Sequence, residues 1–143
     1  MPPTNGIYNV DGFKYTVENG LVTKVEVALL GKVNPSWDRN GYQQSIKCNK
    51  AKNGTQGNDQ GGHLIGSQFG GPGEQINLVP MKSSVNGPGG DWYTMEQKWA
   101  NGGKTITGVE IKIIYGVDKR PTNFLVKWSE NGVEMPTIKI ENF

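Results

Sequence analysis

The sequence predicts an α+β domain, a mostly antiparallel sheet interrupted by a loop-rich insert that carries one main helix. Three observations predict it. Strand-like runs near both ends of the chain meet at Asp-Gly or Asn-Gly pairs, a single segment repeats apolar residues at helical spacing, and the stretch between is rich in Gly, Asn, Gln and Lys. The 143 residues suit one domain, expected over 1–143. A chain of that size buries about two-thirds of its unfolded surface and needs no disulfide or structural metal to fold.

The elements follow in order. In "GIYNVDGFKYTV" (6–17) a tight Asp11-Gly12 turn joins two strands, and in "KYTVENGLVTKVEVALL" (14–30) Asn19-Gly20 joins the second to a third. Asn-Gly between β-rich runs is the strongest short hairpin signal. Residues 31–62 lack apolar periodicity and read as mostly loop. "GGHLIG" (61–66) is expected to be a short strand, and "INLVPM" (76–81) a second one ended by Pro80. "GGDWYTMEQKWANGG" (89–103) is the one convincing helix. Asp91 is its expected N-cap, Trp92, Met95 and Trp99 form its core face, and Gly102-Gly103 close it. "KTITGVEIKIIYG", "NFLVKWSENG" and "VEMPTIKIENF" then alternate apolar and polar residues, with a further turn at Asn131-Gly132.

Composition narrows the chemistry. The single cysteine, Cys48, rules out an internal disulfide, and one Cys with one His rules out the usual four-ligand zinc sites. No apolar run approaches the roughly 18 residues needed to cross a bilayer, and "MPPTNGIYNV" lacks a signal peptide's apolar core. Export would therefore need another segment or a dedicated machine. The net charge of +2 is small, but residues 39–58 carry Arg39, Lys47, Lys50 and Lys52 and no acid. This stretch is either a solvated loop or a face for nucleic-acid phosphates, with Trp37 and Tyr42 as candidates for base stacking.

The only histidine, His63, lies in the glycine-rich stretch "NDQGGHLIGSQFGGPGEQINLVPM" (58–81). Catalysis by two histidines is thereby excluded. A Cys48–His63 dyad would lack a glycine turn or oxyanion hole beside the cysteine. Gly61 and Gly62 would let backbone approach a substrate closely. Downstream, Asn77, Asn86, Asp91 and Glu96 offer oxygen ligands to a hard cation such as Mg²⁺, which keeps several waters and needs few protein ligands.

"DQGGHL" (59–64), "NLVP" (77–80), Asn86 and "WYTMEQKW" (92–99), in that order, resemble the DNA/RNA non-specific endonucleases of the His-Me finger (ββα-metal) superfamily. They look closest to the DxGGHL-containing toxin nuclease domains of bacterial polymorphic toxins. The resemblance implies a ββα-metal core at about 59–101 and a metal-dependent phosphodiesterase using Mg²⁺ or another divalent ion such as Mn²⁺. It places the general base on His63, the metal ligand on Asn86, and the acid that supports the metal's water shell on Glu96. Asp59 and Asn77 would shape and orient the site. A phosphate-contacting arginine would fall on Arg39 or, failing that, on Arg120. Lys47, Lys50, Lys52, Gly61 and Gly62 would meet the substrate. Two departures stand out: Met81 follows "NLVP" where the family commonly has glutamine, and "GPGGD" lengthens the spacing after Asn86, leaving Asp91 as an alternative ligand. The expected partners are DNA or RNA and a cognate immunity protein with an acidic surface, with no membrane. The expected place of action is the target-cell cytoplasm. The competing expectation is an inactive nucleic-acid-binding module that keeps the fold.

A general-base imidazole, with an ordinary pKa near ~6.5, can take a water's proton at neutral pH. The cation would offset charge on phosphate and leaving oxygen, and no covalent intermediate is needed.

Overall fold

The fold rests on a twisted antiparallel sheet built from the two ends of the chain. The computed structural model describes residues 4–31 and 59–143. The candidate basic residues Arg39, Lys47, Lys50 and Lys52, together with Trp37, Tyr42 and Cys48, lie outside the described residues.

Strands β1 (Gly6–Val10), β2 (Phe13–Glu18) and β3 (Leu21–Leu29) form two successive hairpins. Their turns fall on Asp11-Gly12 and Asn19-Gly20, all four residues at positive φ, the backbone twist that two-residue hairpins require. β6 (Ile106–Tyr115) and β7 (Pro121–Glu130) form a long hairpin, and Asn131-Gly132 turn the chain into β8 (Val133–Glu134). β9 (Ile138–Glu141) pairs with the other end of β7 on the same side. The order is β1-β2-β3-β6-β7, with β8 and β9 sharing the last edge. β3 and β6 are direct neighbours, and the pairing runs on to a bond from Leu30 N–H to the Ile106 carbonyl (2.9 Å). Everything between them is an insertion into a sheet that closes without it.

Period-2 alternation decides which face is buried. Phe13, Tyr15, Val17, Val25, Val27, Val109, Ile111, Ile113, Phe124, Val126 and Trp128 are all buried. The outer face carries weak ion pairs such as Lys24–Glu26 (3.4 Å) and Lys127–Glu110 (3.6 Å).

The insert is a ββα unit. β4 (Asp59–His63) and β5 (Leu78–Lys82) make a separate two-stranded antiparallel sheet. A one-turn helix, α1 (Ser83–Asn86), and the main helix, α2 (Asp91–Ala100), follow. The core face expected from spacing is present: Trp92, Met95 and Trp99 are buried. Trp92 packs at a tilt against Phe124 (centroids 4.9 Å apart), and Trp99 packs edge-on against Trp128 (5.4 Å) and Phe69 (6.1 Å). Each such aromatic pair adds ~0.5–1.5 kcal/mol beyond area burial. The contacts with Phe124 and Trp128 fasten the insert to the inner face of the sheet.

Three expectations are corrected. The first strand of the insert runs Asp59–His63, so 59–62 are not loop, and it stops at the histidine instead of continuing through Ile65. Pro80 does not end the second strand but sits at its centre, opposite Gly61. Its missing N–H costs nothing there, because its backbone faces away from β4: the Pro80 carbonyl accepts from Asn142 Nδ2 (3.2 Å). Asp91 is not the N-cap of α2. Gly90 holds that position, no side chain caps the helix, and exposed Asp91 is its first residue, where a carboxylate still favours the positive end of the helix dipole.

Candidate active site

His63 closes β4, paired in register with Leu78, and is 4% exposed. The strand reaches it through Gly61 and Gly62, both buried. Gly62 is needed for packing: a Cβ there would lie 2.9 Å from Met81 Cβ and Cε across the pair of strands. The structure therefore places Gly62 against the core of the unit.

The long connection from His63 to β5 is shaped by one side chain. Asn77 is fully buried and uses its whole amide. Its Oδ1 accepts from Ile65 N–H (2.9 Å) and Tyr15 O–H (2.8 Å), and its Nδ2 donates to the carbonyls of Ile65 (2.8 Å) and Pro72 (3.0 Å). Burial holds the Tyr15 phenol well above its ordinary pKa, with the Asp11 and Glu74 charges adding to the effect, so it remains a donor. Asn77 thus ties both ends of the connection to each other and to β2. With both ends of the amide occupied, Asn77 shapes the loop that follows His63.

Asn86 ends α1, half-buried, and its Nδ2 donates to Gln60 Oε1 (3.0 Å) on β4. One bond thus joins the helix to the strand that carries His63, and it engages the nitrogen end of the amide. The oxygen end is the one suited to a hard cation. Glu96, on α2, reaches toward the segment just after His63: its Oε2 lies 2.7 Å from where a Cβ on Gly66 would be. A side chain at Gly66 would fill the space the carboxylate occupies. A second tight approach sets α2 against α1, since a Cβ on Gly90 would fall 2.2 Å from the Val85 carbonyl oxygen.

Asp59 and Arg120 form a buried, two-pronged ion pair. Arg120 Nε donates to Oδ2 and Nη2 to Oδ1, both at 2.7 Å, with the side chains 0% and 2% exposed respectively. Arg120 Nη1 also donates to the carbonyls of Pro121 (3.2 Å) and Asn142. Arg120 is therefore corrected as a phosphate contact. Its guanidinium is spent inside the protein, holding the first residue of β4 to the turn before β7. The remaining arginine candidate, Arg39, lies outside the described residues.

Among the described residues no group of three or more His, Cys, Asp or Glu side chains could hold a metal ion. Another kind of site needs fewer protein ligands: one amide oxygen binds the cation, a carboxylate reaches its waters, and solvent supplies the rest. Asn86 and Glu96 have the right chemistry for that. Sequence reasoning missed Asn142, Tyr15 and Gly66. Asn142 carries no local signal, because it is a lone asparagine just past the end of an ordinary amphipathic strand.

A family model described as DNA/RNA non-specific endonuclease matches residues 4–132 of the chain. Type VII secretion system protein EssD of Staphylococcus aureus strain USA300 is 32% identical over 137 residues, covering 91% of this chain and 20% of that protein. The protein of the same name from strain NCTC 8325 / PS 47 gives the same identity and coverage. The chain thus spans about one-fifth of the length of the curated relatives it matches.

Proposed function

Since the chain belongs to the DNA/RNA non-specific endonuclease family, we propose that it is a Mg²⁺-dependent endonuclease that hydrolyses DNA or RNA with little sequence preference. Mn²⁺ is a second cation suited to the same oxygen ligands. The observation that carries this reading is the bond from Asn86 to Gln60, which fastens the candidate metal ligand to the strand ending in His63. Asn86 Oδ1 would hold the ion and Glu96 would order its waters. The cation would supply charge stabilisation at the phosphate and the departing oxygen.

The chain's own residues do the rest. An imidazole nitrogen of His63 takes a proton from water as its oxygen bonds to phosphorus. The P–O ester bond breaks, and the leaving oxygen takes a proton from solvent. Asn77 and the Asp59–Arg120 pair orient the strand and loop that present the base. The relatives' name points to a type VII secretion system as the setting; in that setting the chain would be a toxin domain that acts in a target cell's cytoplasm and is neutralised by an immunity protein with an acidic surface.

Supercoiled plasmid and a structured RNA, each incubated with the purified domain in Mg²⁺, test the reaction. Cleavage is expected with Mg²⁺ and is expected to stop in EDTA. Cleavage that persists in EDTA would overturn the mechanism, and salt-sensitive binding without cleavage would favour an inactive binding module.

Gly66 provides a finer probe. Its φ of −60° suits any residue, so Gly66→Ala meets no backbone penalty and displaces only the flexible end of Glu96. The melting temperature should stay within a few degrees while cleavage falls by about tenfold or more, the usual cost of disturbing an outer-shell group. An unchanged rate would remove Glu96 from the site.

A further inference from the structure

A two-stranded sheet standing alone is only marginally stable in water. β4 and β5 form such a pair, and the outer edge of β5 would leave the Pro80 carbonyl and the Lys82 N–H without strand partners. One buried side chain meets both groups. Asn142 Oδ1 accepts from Lys82 N–H (2.8 Å), and its Nδ2 donates to the Pro80 carbonyl (3.2 Å) and the Pro121 carbonyl (2.7 Å). A carboxamide bridging a carbonyl and the N–H two residues later does what one residue of a neighbouring parallel strand would do. Asn142 is itself held firmly, 0% exposed, with its N–H bonded to the Thr122 carbonyl (2.8 Å) and its carbonyl accepting from Arg120.

The location of this bridge gives it meaning. Lys82 is the residue immediately before α1, and α1 is a single turn ending at Asn86. A one-turn helix has no length over which to absorb an error at its start, so the position of Lys82 is passed directly to Asn86. Across the ladder from Lys82 stands Asp59, which Arg120 grips. The same end of the hairpin is therefore pinned on both strands.

We propose that Asn142 is a positioning residue for Asn86: its amide serves as a one-residue strand on the edge of β5 and fixes the start of α1. The consequence for metal binding rests on the role proposed above for Asn86, whereas the clamp itself does not.

Asn142→Ala is compared with wild type and with Val25→Ala, a core truncation on β3 matched by melting temperature. Amide hydrogen exchange is read at Lys82 and through α1, and Mn²⁺ binding is read by electron paramagnetic resonance without nucleic acid. Asn142→Ala should speed exchange at Lys82 and α1 by about tenfold. It should weaken Mn²⁺ binding by about tenfold, with Val25→Ala within about twofold of wild type on both. Should Asn142→Ala not fold, Asn142→Gln keeps the amide on a stem one methylene longer and is expected to shift both readouts the same way. Exchange at Lys82 and α1 no faster than in Val25→Ala would overturn the clamp. If wild type neither binds Mn²⁺ nor cleaves, the proposed function fails while the exchange comparison still decides the role of Asn142.

Discussion

His63→Ala is expected to lower Mg²⁺-dependent cleavage by about 10²–10⁴-fold, the usual worth of a positioned general base. The side chain is nearly enclosed at the end of β4, and its loss also leaves a cavity. Two controls separate chemistry from packing. His63→Gln fills most of the volume but cannot act as a base, so it should be as inactive as the alanine variant. Added imidazole should restore part of the rate to His63→Ala by entering the vacated space. A His63→Gln protein that retains wild-type cleavage would end the claim that this residue removes the water's proton.

Arg120→Met should produce the largest loss of stability. It strips the partner from the Asp59 carboxylate, whose side chain is wholly buried. Breaking such a pair from one side costs about 3–5 kcal/mol, because the remaining charge has no water to turn to. For a domain of this size that corresponds to a fall in melting temperature on the order of 10–15 °C. The double variant Asp59→Leu/Arg120→Met should recover much of the loss, since removing both charges removes the orphan. By contrast Lys14→Ala, which deletes the exposed 3.7 Å pair with Glu26, should change stability by less than about 1 kcal/mol. Thermal or urea unfolding of wild type, Asp59→Leu, Arg120→Met and the double variant gives the cycle directly. Equal losses for Arg120→Met and Lys14→Ala would contradict the burial argument.

The parts of the molecule that were legible in the sequence are those set by local rules. Asp11-Gly12, Asn19-Gly20 and Asn131-Gly132 marked their hairpins because few other residues tolerate the φ values that tight turns impose. Trp92, Met95 and Trp99 marked the helix and its buried face by spacing alone. What could not be read depends on contacts between distant segments. Pro80 looked like a strand terminator, because nothing nearby indicates that an asparagine sixty-two residues away would bond to its carbonyl. Arg120 looked available for phosphate, and only the fold brings Asp59 to it across sixty-one residues. Within the site, the pattern singled out His63, Asn86 and Glu96. Asn142 and Tyr15, which bond to Lys82, Pro80 and Asn77 around the candidate site, carry no pattern of their own.

The direct pairing of β3 with β6 has a consequence for the order in which the molecule assembles. The four terminal hairpins join neighbouring residues, so each closes a short loop and can form early. The seam between Leu30 and Ile106 cannot form until the whole insert has been gathered into a closed loop, and the entropy of that closure makes it a late step. The surface on which Trp92 and Trp99 rest is contributed by β7, from the far side of the seam. The early β6–β7 hairpin therefore offers α2 its seat before the seam closes, and joining the N-terminal strands to β6 is the step that waits on the rest of the insert.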